Sequence, residues 1–352
     1  MSTTTASDRT QNPMPVCSGI SGLGKTRMLE EGITILQEVM KLDRNHIASV
    51  IVPYSNGFRP HPVEQSMSIE ASISWRLLFR VFLDKNCSHS FQSWFQSRLP
   101  CNGGQLTLEN AVGVVVRKLR KKAQEPAPLY LFLGIDDYQK ITKVGARPKE
   151  TKTPLVRELV EAIGALVCSK LPNLVLLPMF AGTDLGVIAS GSLADSSYYV
   201  MEQLPMTLLT LDQMFSLVES NAAFAGLLQY SRIRRNLFTL GGVPGWVVKY
   251  LLELKRYAES DVVSLDSIDK CFVTVWTTYV DSYLSSLQTQ KLVRLAAFAV
   301  SGRQVGTNGS FDETLKWSRL RDSSLCLLIL RASLLCDVRV PYALLYKCWM
   351  AL

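Results

Sequence analysis

The chain has 352 residues, 47% of them hydrophobic and 19% charged, with a formal net charge of +8. That length allows two or three domains and a large core, and the absence of any run of about 18 apolar residues argues against a membrane-spanning helix. There is no basic flank leading into an apolar N-terminal block, and the eight cysteines form no Cys-x-x-Cys pair and do not combine with His46, His61 or His89 at metal-ligand spacing. A secretory signal and a cysteine–histidine metal site are therefore not expected, and the setting is read as intracellular and reducing.

Residues 1–12 are mostly Ser, Thr and Asp and read as a disordered lead-in. Pro15–Ser18 is a short strand that enters a glycine-rich loop. Thr26–Met40 follows as a helix, with Met28, Leu29, Ile33, Leu36 and Val39 at helical spacing. Ile47–Tyr54 is rich in β-branched residues and reads as a second strand. Helical stretches are expected at Ile69–Leu83 and Leu106–Ala123. Leu129–Ile135 is nearly all apolar, the pattern of a central strand buried on both faces. A helix at Pro154–Leu171, a strand at Leu174–Phe180 and a short fifth strand at Tyr198–Met201 complete this part. The alternation of strands and helices predicts an α/β fold, a parallel sheet covered by helices. After about Leu204 strand-like runs nearly vanish. Helices are expected there at Leu211–Glu219, Ala222–Leu240 and Trp246–Arg256.

The loop after the first strand carries the clearest chemistry. Gly19-Ile20-Ser21-Gly22-Leu23-Gly24-Lys25-Thr26 matches GxxxxGK[ST] at every defined position. The glycines let backbone amides turn inward around phosphates. Lys25 places a point charge on the β- and γ-phosphates, and the Thr26 hydroxyl is suited to magnesium. The following helix aims its N-terminal dipole at the same anion. Gly19 through Thr26, with Arg27 next in line, form the expected nucleotide-binding stretch. A glycine-rich turn that happens to carry Lys-Thr is the plainer alternative. It is disfavoured by the strand before the loop and the amphipathic helix after it. The expected organisation is a P-loop NTPase core over 13–204, a helical lid over 205–260, and a helical or winged-helix-like module over 261–352.

A P-loop needs a carboxylate on a neighbouring strand to hold magnesium. The apolar strand ending in Asp136-Asp137 supplies one, at the edge of the sheet where open α/β folds bind ligands. Asp136 is the candidate magnesium partner, and Asp137 the candidate base or water-orienting group. The next strand ends in Ala181-Gly182-Thr183-Asp184. Thr183 could sense the γ-phosphate, with Asp184 the next choice; a helix N-cap explains the pair equally well. Two basic clusters remain. Arg117-Lys118-Leu119-Arg120-Lys121-Lys122 has the look of a nuclear-import or nucleic-acid patch, but cations at a helix C-terminus account for it more simply. Arg232-Ile233-Arg234-Arg235 could deliver an arginine, Arg234, to a nucleotide from the lid. A solvent-facing helix end is the alternative.

Taken together, GISGLGKT, LFLGIDD, the FAGTD strand end and LGGVP after a helix resemble the AAA+/STAND class of P-loop ATPases. More closely, the arrangement resembles the ATPase domain of Crinkler-type effectors and trypanosomatid retrotransposon hot spot proteins. In STAND proteins a Gly-x-Pro motif of the lid lies near the nucleotide base. Gly242-Val243-Pro244 matches it, so the resemblance implies Pro244 as a base contact and ATP as the nucleotide. Asp137 departs from the glutamate of many AAA+ proteins, although Asp-Asp is common among STAND proteins. The loop begins close to the first residue, which on this resemblance implies a shortened copy or fragment.

Three functions are compatible with these features. One is magnesium-dependent ATP hydrolysis driving a conformational switch, with ATP and Mg2+ as cofactors. Another is a nucleotide-gated module that binds a protein partner or a second copy with negligible turnover. The third, a nucleic-acid motor, draws little support from a charge of +8. Hydrolase chemistry at a serine or cysteine has no spacing to support it, and Cys17 reads as a packed strand residue.

Overall fold

The computed structural model describes residues 12–55, 57–83, 90–98, 105–120, 128–144, 155–169, 171–183, 199–224, 226–260, 264–281, 288–306, 309–322, 325–330 and 335–350. By contacts the chain divides into two compact units. The first takes residues 1–18 and 25–205, the second 19–24 and 206–352.

The first unit is built on five strands: β1 (Met14–Ser18), β2 (Ile47–Pro53), β3 (Leu129–Asp136), β4 (Leu174–Gly182) and β5 (Met201–Leu204). They form a parallel sheet in the order β2-β3-β4-β1-β5. Its helices are α1 (Lys25–Met40), α2 (Ile69–Phe82), α3 (Phe91–Arg98), α4 (Leu108–Arg120) and α5 (Leu155–Cys168). Side chains alternate across a strand, and β3 uses both faces. Leu131, Leu133 and Ile135 join the core formed with α2, α4 and α5. On the other face, Leu29 of α1 lies over Gly134. The result is a three-layer α/β unit, as the alternating pattern predicts. Every strand of β3 and its neighbours ends at the same edge, where Pro53, Asp136 and Ala181 are in register. The fifth strand lies slightly later than Tyr198–Met201, and Tyr198 falls outside the described residues.

The second unit holds helices α6 (Leu211–Glu219), α7 (Ser231–Leu240), α8 (Pro244–Ser260), α9 (Leu265–Val275), α10 (Thr289–Ser301), α11 (Trp317–Asp322) and α12 (Tyr342–Met350). A π turn, Trp276–Val280, continues α9. Ala222–Leu240 is not one helix. Two 3-10 turns, Ala222–Phe224 and Leu227–Gln229, precede α7. Gly226 between them is left-handed at φ 80°, a conformation no right-handed helix contains. The Asn221 side chain also accepts the Ala223 N–H at 3.0 Å, offering the backbone a local alternative to the helix.

Strands do reappear late in the chain. β6 (Val305–Gly306), β7 (Leu327–Leu330) and β8 (Leu335–Arg339) form an antiparallel sheet in the order β6-β8-β7. Short leucine-rich runs do not distinguish strand from helix by periodicity, which is why this hairpin escapes the sequence pattern. In chain order β6 falls between α10 and α11, and β7 and β8 follow α11. No helix among the described residues is long and apolar enough to cross a membrane.

Candidate functional site

Lys25 and Thr26 are the first two residues of α1, and Asp136 is the last of β3. Residues 110 positions apart meet here: the Thr26 hydroxyl donates to Asp136 Oδ2 at 2.9 Å. The Asp137 N–H donates to the other carboxylate oxygen at 3.0 Å. Asp136 is 7% exposed. Burial pushes its carboxyl up, against the lowering effect of Thr26 and the Asp137 amide. Burial also lowers the Lys25 ammonium to about 8, opposed by the charges of Asp137 and Asp136.

Asp137 stands in the left-handed region at φ 57°. Aspartate tolerates this better than most residues, and such strained positions concentrate at functional sites. Its carboxylate accepts from Gln139 Nε2 at 3.0 Å and from Lys140 Nζ at 3.0 Å. Burial alone would raise this carboxyl. The donors around it, from Ser55, Lys140 and Gln139, hold it below the usual carboxylate value instead. Gln139 faces both ways, because its Oε1 accepts the Thr183 N–H at 3.2 Å. The ends of β3 and β4 are thus tied through one side chain. Thr183 enters this network through its backbone; Asp184 lies outside the described residues.

A hydroxyl and a carboxylate are hard oxygen donors suited to magnesium, which takes few protein ligands and completes its shell with phosphate oxygens and water. Among the described residues no group of three or more His, Cys, Asp or Glu could hold a metal by itself. The Thr26–Asp136 pair fits the first kind of site and not a closed protein cage. Cys17 is fully buried, and burial raises its thiol to about 11 against the pull of Lys25. It is a packed strand thiol, pushed away from the thiolate form a nucleophile needs.

Residues 19–24 belong to the second unit. Gly19, Gly22 and Gly24 all have positive φ, at 147°, 85° and 94°. The Leu23 N–H donates to the Ile20 carbonyl at 3.3 Å, so Ile20–Leu23 is a turn whose third position, Gly22, must be left-handed. Ile20 and Leu23 are 0% and 3% exposed and sit in the core with Val243, Trp246 and Val247. Their side chains anchor the loop. Pro244 is the first residue of α8.

Arg27 and the basic clusters look different in three dimensions. Arg27 is an exposed side chain that pairs along α1 with Glu31 and Glu30. The Lys118 ammonium donates to the Val81 carbonyl at 3.0 Å near the end of α2, and Arg120 donates to the Asn173 carbonyl at 2.5 Å. Two cations of the 117–122 cluster therefore serve the fold; Lys121 and Lys122 lie outside the described residues. Arg232 forks onto Asp269 at 2.7 and 2.6 Å. Arg234 is exposed on α7.

A separate cleft of about 370 Å3 in the first unit is lined chiefly by apolar residues, among them Met28, Leu36, Phe132 and Met179. None of the residues above contributes to it.

Gln139, Ser55 and Gly245 were not singled out by the sequence pattern. A polar amide two residues past Asp-Asp, and a third glycine in Gly-Gly-Val-Pro-Gly, were the signals available.

No protein-family model matches this chain, and no curated protein does. Solved structures do. The ORC2 protein of Aeropyrum pernix, in ADPNP-ADP complexes, is 12% identical, with a TM-score of 0.53 over 96% of this chain and 88% of its own. The Aeropyrum pernix ORC1 protein in complex with DNA is 13% identical, with a TM-score of 0.45 over 96% and 86%. A point variant of RuvB from Thermotoga maritima is 14% identical, with a TM-score of 0.37 over 96% and 88%. The likeness to ORC2 shows the fold alone: a P-loop-type α/β unit on a five-stranded parallel sheet, followed by a helical C-terminal region.

Proposed function

We propose that this chain binds ATP with magnesium and hydrolyses it. The observation that carries the proposal is the Thr26–Asp136 hydrogen bond at 2.9 Å, which unites the two residues a P-loop uses around its metal. Adenine over guanine draws support from the ORC2 neighbour, solved with ADPNP and ADP. Lys25 would pair with the β- and γ-phosphates, and the loop amides from Gly19 to Gly24 would ring them. Thr26 and Asp136 would hold the magnesium, which when bound neutralises charge on the phosphate oxygens. Asp137 would orient the attacking water, with Thr183 sensing the γ-phosphate. Arg234 and Pro244 belong to the helical stretch over 205–260, proposed as a lid that supplies an arginine and a base contact. Closure and release of that lid would be the conformational output. The Crinkler and STAND resemblance adds a partner protein or a second copy as the receiver.

A specific observation favours slow turnover. The Asp137 carboxylate already accepts from Lys140 and Gln139 at 3.0 Å each, which engages the oxygens an attacking water would need. A nucleotide-gated interaction module is the second reading for this reason. Asp137→Asn separates the two: ATP affinity should stay within about threefold, while phosphate release should fall on the order of a hundredfold if Asp137 acts in hydrolysis. An unchanged rate would remove Asp137 from the chemistry. Gln139→Ala should lower turnover on the order of tenfold with binding retained, because it unties a hydrogen-bonded partner of Asp137. The whole assignment is tested by ATP binding and phosphate release with and without magnesium. It fails if the purified protein shows no saturable ATP binding.

A further inference from the structure

We infer that the first turn of α8 senses the state of the glycine loop, through a backbone clasp between Gly245 and Gly22. The inference rests on the loop binding phosphates. The first N–H groups of a helix have no partner within it. In α8, Pro244 contributes none, and the Gly245 N–H donates to the Gly22 carbonyl at 2.6 Å. The loop therefore caps the helix. The approach is as close as backbones allow: a Cβ on Gly245 would lie 2.7 Å from Gly22 Cα and 2.8 Å from Gly22 O. Both of those atoms are main chain and cannot rotate aside.

The other side of Gly22 is closed as well. A Cβ there would meet Val243 Cγ1 at 3.2 Å and the Trp246 indole at 3.5 Å. Ile20 and Leu23 bracket the turn and are buried in one core with Val243, Trp246 and Val247. The turn Ile20–Leu23 is consequently held by the Gly245 N–H on its Gly22 carbonyl, by the Val243 side chain and Trp246 indole beside Gly22, and by burial of its own Ile20 and Leu23 side chains in the same core. When loop amides rotate to meet a phosphate, the carbonyls of the same peptides rotate with them, since each peptide is planar. The Gly22 carbonyl cannot turn without releasing or dragging the Gly245 N–H. Occupancy of the loop is thereby converted into a change at the start of a 17-residue helix.

Hydrogen exchange on the full chain tests this, comparing wild type, Gly245→Ala, Trp246→Phe and Lys25→Ala. Without nucleotide, loop amides over 19–24 should exchange about fivefold faster in Gly245→Ala, as expected for one lost backbone hydrogen bond. With ADPNP and magnesium, wild type should change exchange both in the loop and over 244–252. Gly245→Ala should respond in the loop and no longer over 244–252. Trp246→Phe, which spares the backbone contact, should keep the α8 response, and the wild-type comparison serves by itself if Gly245→Ala does not fold. A loop response in wild type with no α8 response overturns the inference. So does wild-type loop exchange in nucleotide-free Gly245→Ala, or loss of the α8 response in Trp246→Phe. No response anywhere in wild type, equal to Lys25→Ala, defeats the nucleotide site itself and the inference with it.

Discussion

Lys25→Ala is expected to abolish ATP binding at concentrations that saturate the wild type, measured by titration with a fluorescent ATP analogue. Lys25 is 8% exposed, beside the carboxylates of Asp136 and Asp137. Its removal deletes the cation that would meet the phosphates. It also leaves Asp136 without the neighbouring Lys25 charge where anions must enter, while Asp137 keeps Lys140. At about 4 Å and an effective dielectric of about 20, one unit charge is worth about 4 kcal/mol, roughly three decades in affinity. The variant should nevertheless fold. Burial already depresses the Lys25 ammonium to about 8, so losing it relieves a desolvation cost, and the melting temperature should shift by only a few degrees. A Lys25→Ala protein that is folded and binds ATP as wild type does would sink the proposed site.

Arg76→Met should destabilise the first unit strongly. Arg76 and Glu64 are both 0% exposed and form a salt bridge at 2.6 Å. The guanidinium also donates to the Phe58 carbonyl at 2.5 Å and lies between the rings of Tyr54 and Phe91, 4.4 and 4.5 Å from their centroids. Glu64 accepts in addition from the His61 N–H at 2.8 Å and the Ser72 hydroxyl at 2.5 Å. Methionine conserves much of the arginine's volume but strands the buried carboxylate. Breaking a buried pair in this way costs about 3–5 kcal/mol, or roughly 10 °C in melting temperature for a unit of this size. Changing Glu64 to Met as well removes the stranded charge and should recover much of the loss. Thermal unfolding of the single and double variants measures both steps. Equal melting temperatures for Arg76→Met and wild type would show that the pair contributes nothing.

The legible parts of this protein are the local ones. Leu129–Ile135 announces a buried strand because its residues are nearly all apolar, and the helix from Thr26 to Met40 because its apolar residues recur at helical spacing. Leu211–Glu219 is bounded by Thr210, whose hydroxyl accepts the Gln213 N–H at 3.2 Å while the Gln213 side chain returns to Thr210, a box visible as Thr-x-x-Gln. The break at Gly226 was less legible, since a lone glycine is tolerated in many helices. The Glu64–Arg76 pair was not legible at all. An arginine among Ile, Leu and Phe in α2 carries no mark of the carboxylate that neutralises it.

The candidate site divides along the same line. The residue types needed for a phosphate loop and its acidic partner, Gly19 to Thr26 and Asp136-Asp137, are set by the sequence, because backbone amides, an ammonium, a hydroxyl and a carboxylate are the chemistry and their order along the chain is a pattern. The tertiary structure alone decided that Thr26 meets Asp136 across 110 residues, that Gln139 ties Asp137 to Thr183, and that Arg27 turns away along α1 to its own glutamates. It alone decided that Gly22 is held by Gly245. Contacts of that kind depend on which strands are neighbours and on how closely two backbones approach. Neither is written in any single stretch of residues.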